Sequence, residues 1–172
     1  RKESSAASDV YKRQDLECAQ ANGFHLLTPD MPEWPSDHLA EFGYSAMYAR
    51  QVRDAAAWAP YALWVKGNMD VLRCPSIAVV GSRHPSTDGK RVTATLCAEM
   101  AVENIGLVSG LACGVDSIAH QTAVQLGTST IAVVACGLDR VYPARHTALA
   151  RSIVHNGLIV SEYPPGTRPA RY

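Results

Sequence analysis

The sequence predicts an α/β fold, a Rossmann-like (extended) parallel sheet with helices on both faces, preceded by a small lead-in module. Two observations predict the sheet. From Ser76 onward, the short apolar runs Ile77–Val80, Gly106–Val108, Thr130–Val134 and Leu158–Val160 alternate with stretches of helical length. Those stretches fall at about Gly89–Asn104, Val115–Leu126 and His146–His155, and the connections between elements are short. Such alternation favours parallel strands joined by right-handed crossovers. A third observation fixes the ends: Gly127 follows the second helix and Asn156-Gly157 the third, as helix stops should.

Taken in order, residues 1–14 have no periodicity and read as a disordered or non-native tail. The lead-in module spans 15–75. It opens with a short helix through Ala21, ended by Asn22-Gly23, and a strand Phe24–Thr28 stopped by Pro29. Pro32 and Pro35 forbid regular structure, after which Ser36 can cap a helix of one or two turns. A second strand runs Tyr61–Asn68, and Trp34, Trp58 and Trp64 supply a small core. In the main domain, 76–172, Ile77–Val80 reads as a strand buried on both faces. The following helix carries an apolar stripe of Val92, Leu96 and Met100 with Ala101 or Val102. The domain is expected to be incomplete at its C-terminal end.

With 47% hydrophobic and 19% charged residues, the 172-residue chain has the composition of a soluble globular protein. No apolar run approaches the roughly 20 residues of a membrane span, and no signal peptide is present, so the expected location is cytoplasmic with no membrane partner. Cys18, Cys74, Cys97, Cys113 and Cys136 form no C-x-x-C pair and read as plain thiols. His84, His146 and His155 lack metal-ligand spacing, so neither a metal nor a cofactor is expected. The net charge is zero but unevenly placed: residues 1–75 hold 8 basic and 10 acidic side chains, residues 76–172 hold 8 and 6.

In parallel α/β sheets ligands bind outside the carboxyl ends of the strands. Four loops meet there: Gly81-Ser82-Arg83-His84-Pro85, Ser109–Asp116, Cys136–Pro143 and Ser161–Gly166. Small residues just past each strand let backbone amides approach a phosphate. Arg83, Arg140 and Arg145 add charge at or near this edge. No G-x-x-x-x-G-K-[ST] and no G-x-G-x-x-G occurs, so the parts that grip ATP or a dinucleotide are missing.

The segments IAVVGSRHPSTDGKR, VSGLACGVDSIAHQTAVQLGTSTIAVVACGLDRVYP and LIVSEYPPGT resemble the bacterial DNA-processing protein A (DprA/Smf) family, as do LLTPDMPEWPSDHL and YALWVKGN before them. The resemblance covers roughly residues 20–172. It implies an extended Rossmann fold that binds single-stranded DNA, forms a homodimer and loads the recombinase RecA during natural transformation. By position, the family's GSR loop falls on Gly81, Ser82 and Arg83, with Arg83 as the phosphate-gripping cation. Its SGLA loop falls on Ser109, Gly110, Leu111 and Ala112, and its basic segment on Arg145 and His146. A basic element that follows in the family lies past Tyr172, so the chain reads as truncated.

Asp116 and His120 lie four apart on one helical face. The favoured reading is a helix-start carboxylate bonded to backbone amides with His120 packed beneath the loop, rather than an acid–base pair. Glu162 is placed with them as loop support and as one potential ion-pair partner of Arg83. Tyr142 and Tyr163 flank the crevice, where they pack or stack on bases. The function expected is therefore non-enzymatic single-strand binding with no catalytic residue. The alternative is a nucleotide-binding or nucleotide-hydrolysing enzyme of the lysine-decarboxylase-like Rossmann group, whose P-G-G-x-G-T-x-x-E signature is absent here.

Overall fold

Chain order alone decides which face of the sheet the helices take. The computed structural model describes residues 13–39 and 60–169. Within them a six-stranded sheet forms from β1 (His25–Leu27), β2 (Leu63–Gly67), β3 (Ser76–Ala78), β4 (Gly106–Ser109), β5 (Thr130–Val133) and β6 (Leu158–Ser161), in the order β1-β2-β6-β5-β4-β3. Strands β3 to β6 are parallel neighbours, whereas β2 pairs antiparallel with β6, Trp64 opposite Ser161, and β1 pairs antiparallel with β2. Crossovers of one hand between consecutive neighbours put every connecting helix on the same side. Accordingly α3 (Thr87–Val102) packs on α4 (Val115–Leu126), which packs on α5 (Thr147–Asn156).

Among the described residues these three helices share one face of the sheet. The opposite face is closed over β1, β2, β6 and part of β5 by a 3-10 helix, Met69–Arg73, whose Val71 and Leu72 join Leu63, Val65, Leu158 and Val160. Beyond that cover Val133 is 49% exposed. Before β1 the chain is helical over 13–22 (α1), two residues earlier than expected, and stops at Gly23, whose φ of 67° suits glycine. Ser36–Leu39 form one short turn of helix, α2. The lead-in segment thus adds two strands to the main sheet. Trp64 meets Phe24 edge-on at 6.2 Å in the helix-side core, while Trp34 packs on the other face. Trp58, residues 1–12 and Arg171 lie outside the described residues.

Two expectations are corrected. The strand at Ile77 is not buried on both faces: β3 is the sheet edge, all three of its residues are exposed, and Val80 is 75% exposed. An apolar run marks a potential core strand, but the strand order decides whether both sides are covered. In α3 the side chains turned to the core are Cys97 and Ala101, with Met100 half-buried against them. Val92 and Leu96 face solvent, and so does Val102. Small residues face α4 because two helices and a strand converge there, and Ala119, Ala123 and Leu107 fill the seam.

Candidate nucleic-acid interface

The loop after β4 is built around one carboxylate. Asp116, in the first turn of α4, accepts hydrogen bonds at Oδ2 from the amides of Gly110 (3.1 Å) and Ala112 (3.3 Å). Leu111 between them takes a left-handed backbone with φ of 59°, and its side chain is buried. A helix-start anion that collects loop amides fixes the loop against the helix. Those two amides are consequently bound to Asp116, although Gly110 and Ala112 still line the crevice.

Ser109 is buried, and its hydroxyl donates to the Val79 carbonyl at 2.6 Å, stitching β4 to the end of β3. The Ser109 hydroxyl is thus engaged within the sheet, and the Leu111 side chain is buried away from the crevice. Gly114 brings the first two loops together: its φ is 84°, and a Cβ there would strike the backbone of Ser82 and Arg83. The amide of Val115 donates to the Ser82 carbonyl at 3.1 Å, and the amide of His84 to Ser82 Oγ at 3.0 Å.

Beneath the loop, His120 is fully buried. The Thr130 hydroxyl donates to the Leu107 carbonyl at 2.8 Å, so its oxygen accepts the proton of His120 Nδ1, also at 2.8 Å. Nε2 is then left without a partner. Burial pulls this imidazole down to about 4, against a nearby Ser109 carbonyl that favours the charged form, with His146 adding repulsion. A neutral, sealed imidazole under the loop is a packing element. On the loop's other flank His146 Nδ1 donates to the Leu111 carbonyl at 2.8 Å.

The third and fourth loops are clipped together by Asp139. Its Oδ1 accepts from the Gly166 amide at 2.8 Å and its Oδ2 from Arg140 at 2.7 Å, while the Gly137 amide donates to the Thr167 carbonyl at 3.0 Å. Burial raises the Asp139 carboxyl, but the bonds from Arg140 and Gly166 outweigh it and hold the group below its ordinary value. Arg140 is thereby committed to Asp139. Within the fourth loop, Ser161 Oγ donates to the Cys136 carbonyl at 2.8 Å and accepts from the Tyr163 amide at 3.0 Å.

What these loops enclose is a pair of adjoining cavities of about 260 and 470 Å³ that share Arg83, His84, Cys113 and Arg145. Tyr142 and Pro169 border the first; Lys90 and His146 border the second. Arg83 and Arg145 are exposed, and neither has an ion-pair partner among the described residues, Glu162 and Asp116 included. Gly81 and Ser82 are exposed on the same loop without lining either cavity, and Glu162 is exposed on the fourth loop. Lys90 was missed from the sequence. Its signal was there: it lies in the first turn of the helix whose N-terminus opens on this edge. Two guanidiniums, an ammonium and two imidazoles thus surround one groove, with no acid among its lining residues. Among the described residues no group of three His, Cys, Asp or Glu could hold a metal, and no helix is long and apolar enough to cross a membrane.

Comparison with known proteins agrees with the motifs. The chain is 39% identical over 160 residues to the putative DNA processing protein DprA of Mycobacterium tuberculosis H37Rv, covering 92% of this chain and 40% of that protein. It is 42% identical over 114 residues to DprA of Streptococcus pneumoniae R6, covering 66% and 40%. It therefore spans about two fifths of the length of these curated relatives. The X-ray structure of Streptococcus pneumoniae DprA superposes with a TM-score of 0.75 at 34% identity, covering 95% of this chain and 50% of that one. A Helicobacter pylori DprA structure, described for its single-stranded DNA binding mode, superposes at 0.66 with 29% identity, covering 86% and 59%. The family model for DNA recombination-mediator protein A matches residues 39–172, and the chain belongs to that family.

Proposed function

We propose that this chain binds single-stranded DNA along the crevice by its phosphates, without chemistry, as the strand-holding part of a recombination mediator. One observation carries the reading: Arg83 and Arg145, from loops about sixty residues apart in sequence, line the same two cavities with no acid beside them among the described residues. Unpaired guanidiniums held by rigid loops suit a polyanion. The Helicobacter pylori relative, described for single-stranded DNA binding, supports the class of ligand. Loading of RecA onto the strand, a role in DNA uptake, and a homodimer complete the proposal for the whole protein, in the cytoplasm.

The test is the salt dependence of binding to oligo-dT. Arg83→Ala should weaken binding and flatten the logarithmic salt slope by about 0.7, the value for one phosphate released from a single strand. The melting temperature should stay put, because Arg83 is exposed. An unchanged slope with unchanged affinity would remove Arg83 from the interface.

A further inference from the structure

Two side chains of the crevice carry a charge that is not permanent. His84, on the loop after β3, lines both cavities, and His146, just before α5, lines the larger one. The bond from Nδ1 to the Leu111 carbonyl fixes the His146 tautomer, so Nε2 is the nitrogen open to a further proton. The His84 side chain is exposed on a loop whose backbone is held by Ser82 Oγ. Neither imidazole has an ion-pair partner among the described residues. The groups facing them are Arg83 on the first loop, Lys90 on α3, Cys113 on the second loop, Cys136 and Tyr142 on the third, and Arg145 beside His146. Behind the second loop lie Asp116, held by two loop amides, and the buried His120, while Asp88 of α3 pairs with Arg91.

An imidazole changes charge within the physiological range, and an anion beside it favours the charged form. Every permanent charge lining the groove is positive, so the groove itself offers neither ring a counter-ion. The phosphates of a strand offer one to both. We propose that strand binding takes up protons at His84 and His146, so that the crevice holds single-stranded DNA more tightly as the medium becomes more acid. This inference rests on the single-strand reading and adds the regulation of that site by pH. The sign follows from linkage: a complex that binds more protons than its free components gains affinity as pH falls, by up to about tenfold per pH unit for each proton. His120 does not share in the effect, because burial pulls its imidazole down to about 4.

The experiment titrates the 172-residue chain with oligo-dT at about pH 6 and about pH 8, at one ionic strength, the range over which imidazoles titrate. Thymine and the phosphodiester do not titrate there. Wild type should bind about tenfold more tightly at the lower pH. His84→Gln and His146→Gln should each lose part of that ratio, and the double variant should bring it to within about twofold of unity. His146 also supports the Leu111 carbonyl, so a second measurement is made on wild type alone. Calorimetry in two buffers of different ionisation enthalpy should show net proton uptake on binding. Binding intact at both pH values with equal affinity, or with no proton uptake, would overturn the inference and leave the phosphate reading standing. So would a ratio that persists in the double variant, or one that vanishes in Cys113→Ser, which would place the titrating group at the thiol. No binding at either pH would overturn both readings.

Discussion

Asp116 and His120 share a helical face and a loop, yet they act on it in different ways. Asp116 holds the loop by two charge-assisted bonds, so Asp116→Ala leaves the Gly110 and Ala112 amides unmet, at about 1–3 kcal/mol. Asp116→Asn keeps an acceptor oxygen and should cost less; chemical denaturation orders the two variants, and equal costs would contradict the bonding described. His120 makes stability depend on pH. Its folded value of about 4 lies below the ordinary 6.5, so the unfolded chain binds more protons in between. Stability present above pH 6.5 is therefore lost as pH falls toward 4, by up to about 3 kcal/mol. In His120→Gln the loss between pH 7 and pH 5 should shrink; an identical profile would show that other groups set it. The roles of these two residues were legible from their spacing at the start of a helix. Ser109 was not, because a serine after a strand looks the same whether its hydroxyl faces a ligand or, as here, a neighbouring strand's carbonyl.

At the scale of elements, the sequence placed a helix at about Gly89–Asn104, found at Thr87–Val102, and only part of its apolar stripe meets the core: Met100 and Ala101 do, Val92, Leu96 and Val102 do not. Val92, Leu96 and Met100 make a plausible stripe by hydropathy, but the neighbouring helix approaches closely enough that Cys97 and Ala101 are what fit. Close helix approach selects small side chains, which a hydropathy pattern undervalues. Enlarging one of them tests this directly: Ala101→Leu should overpack the α3–α4 seam and cost about 1–3 kcal/mol, whereas Val92→Thr should stay within about 0.5 kcal/mol. Thermal unfolding of the pair checks it, and the reverse order would restore the face read from the sequence. The β3 strand carries the same lesson. Its apolar residues were visible, but its place at the edge of the sheet follows from strand order, which no local pattern encodes.

For the whole molecule, the alternation of strands and helices was sufficient to predict the parallel part of the sheet, because each β–α–β unit is a local event. The antiparallel pairing of β2 with β6 joins residues 91 to 97 positions apart, and nothing near either strand announces it. That pairing nonetheless shapes the site: it sets Lys66 of β2 opposite Ile159 and so closes the wall of a cavity beside the crevice. The crevice as a whole is a line of loop ends with separated cations, Arg83, Lys90 and Arg145, rather than a basic helix able to enter a major groove. A flexible strand can follow that line, while a stiff duplex meets only part of it. Competition between a single strand and a duplex of equal length, at one fixed salt concentration, measures this most directly. The single strand should displace the duplex with little preference for sequence; a duplex that binds as tightly or more tightly would contradict the account.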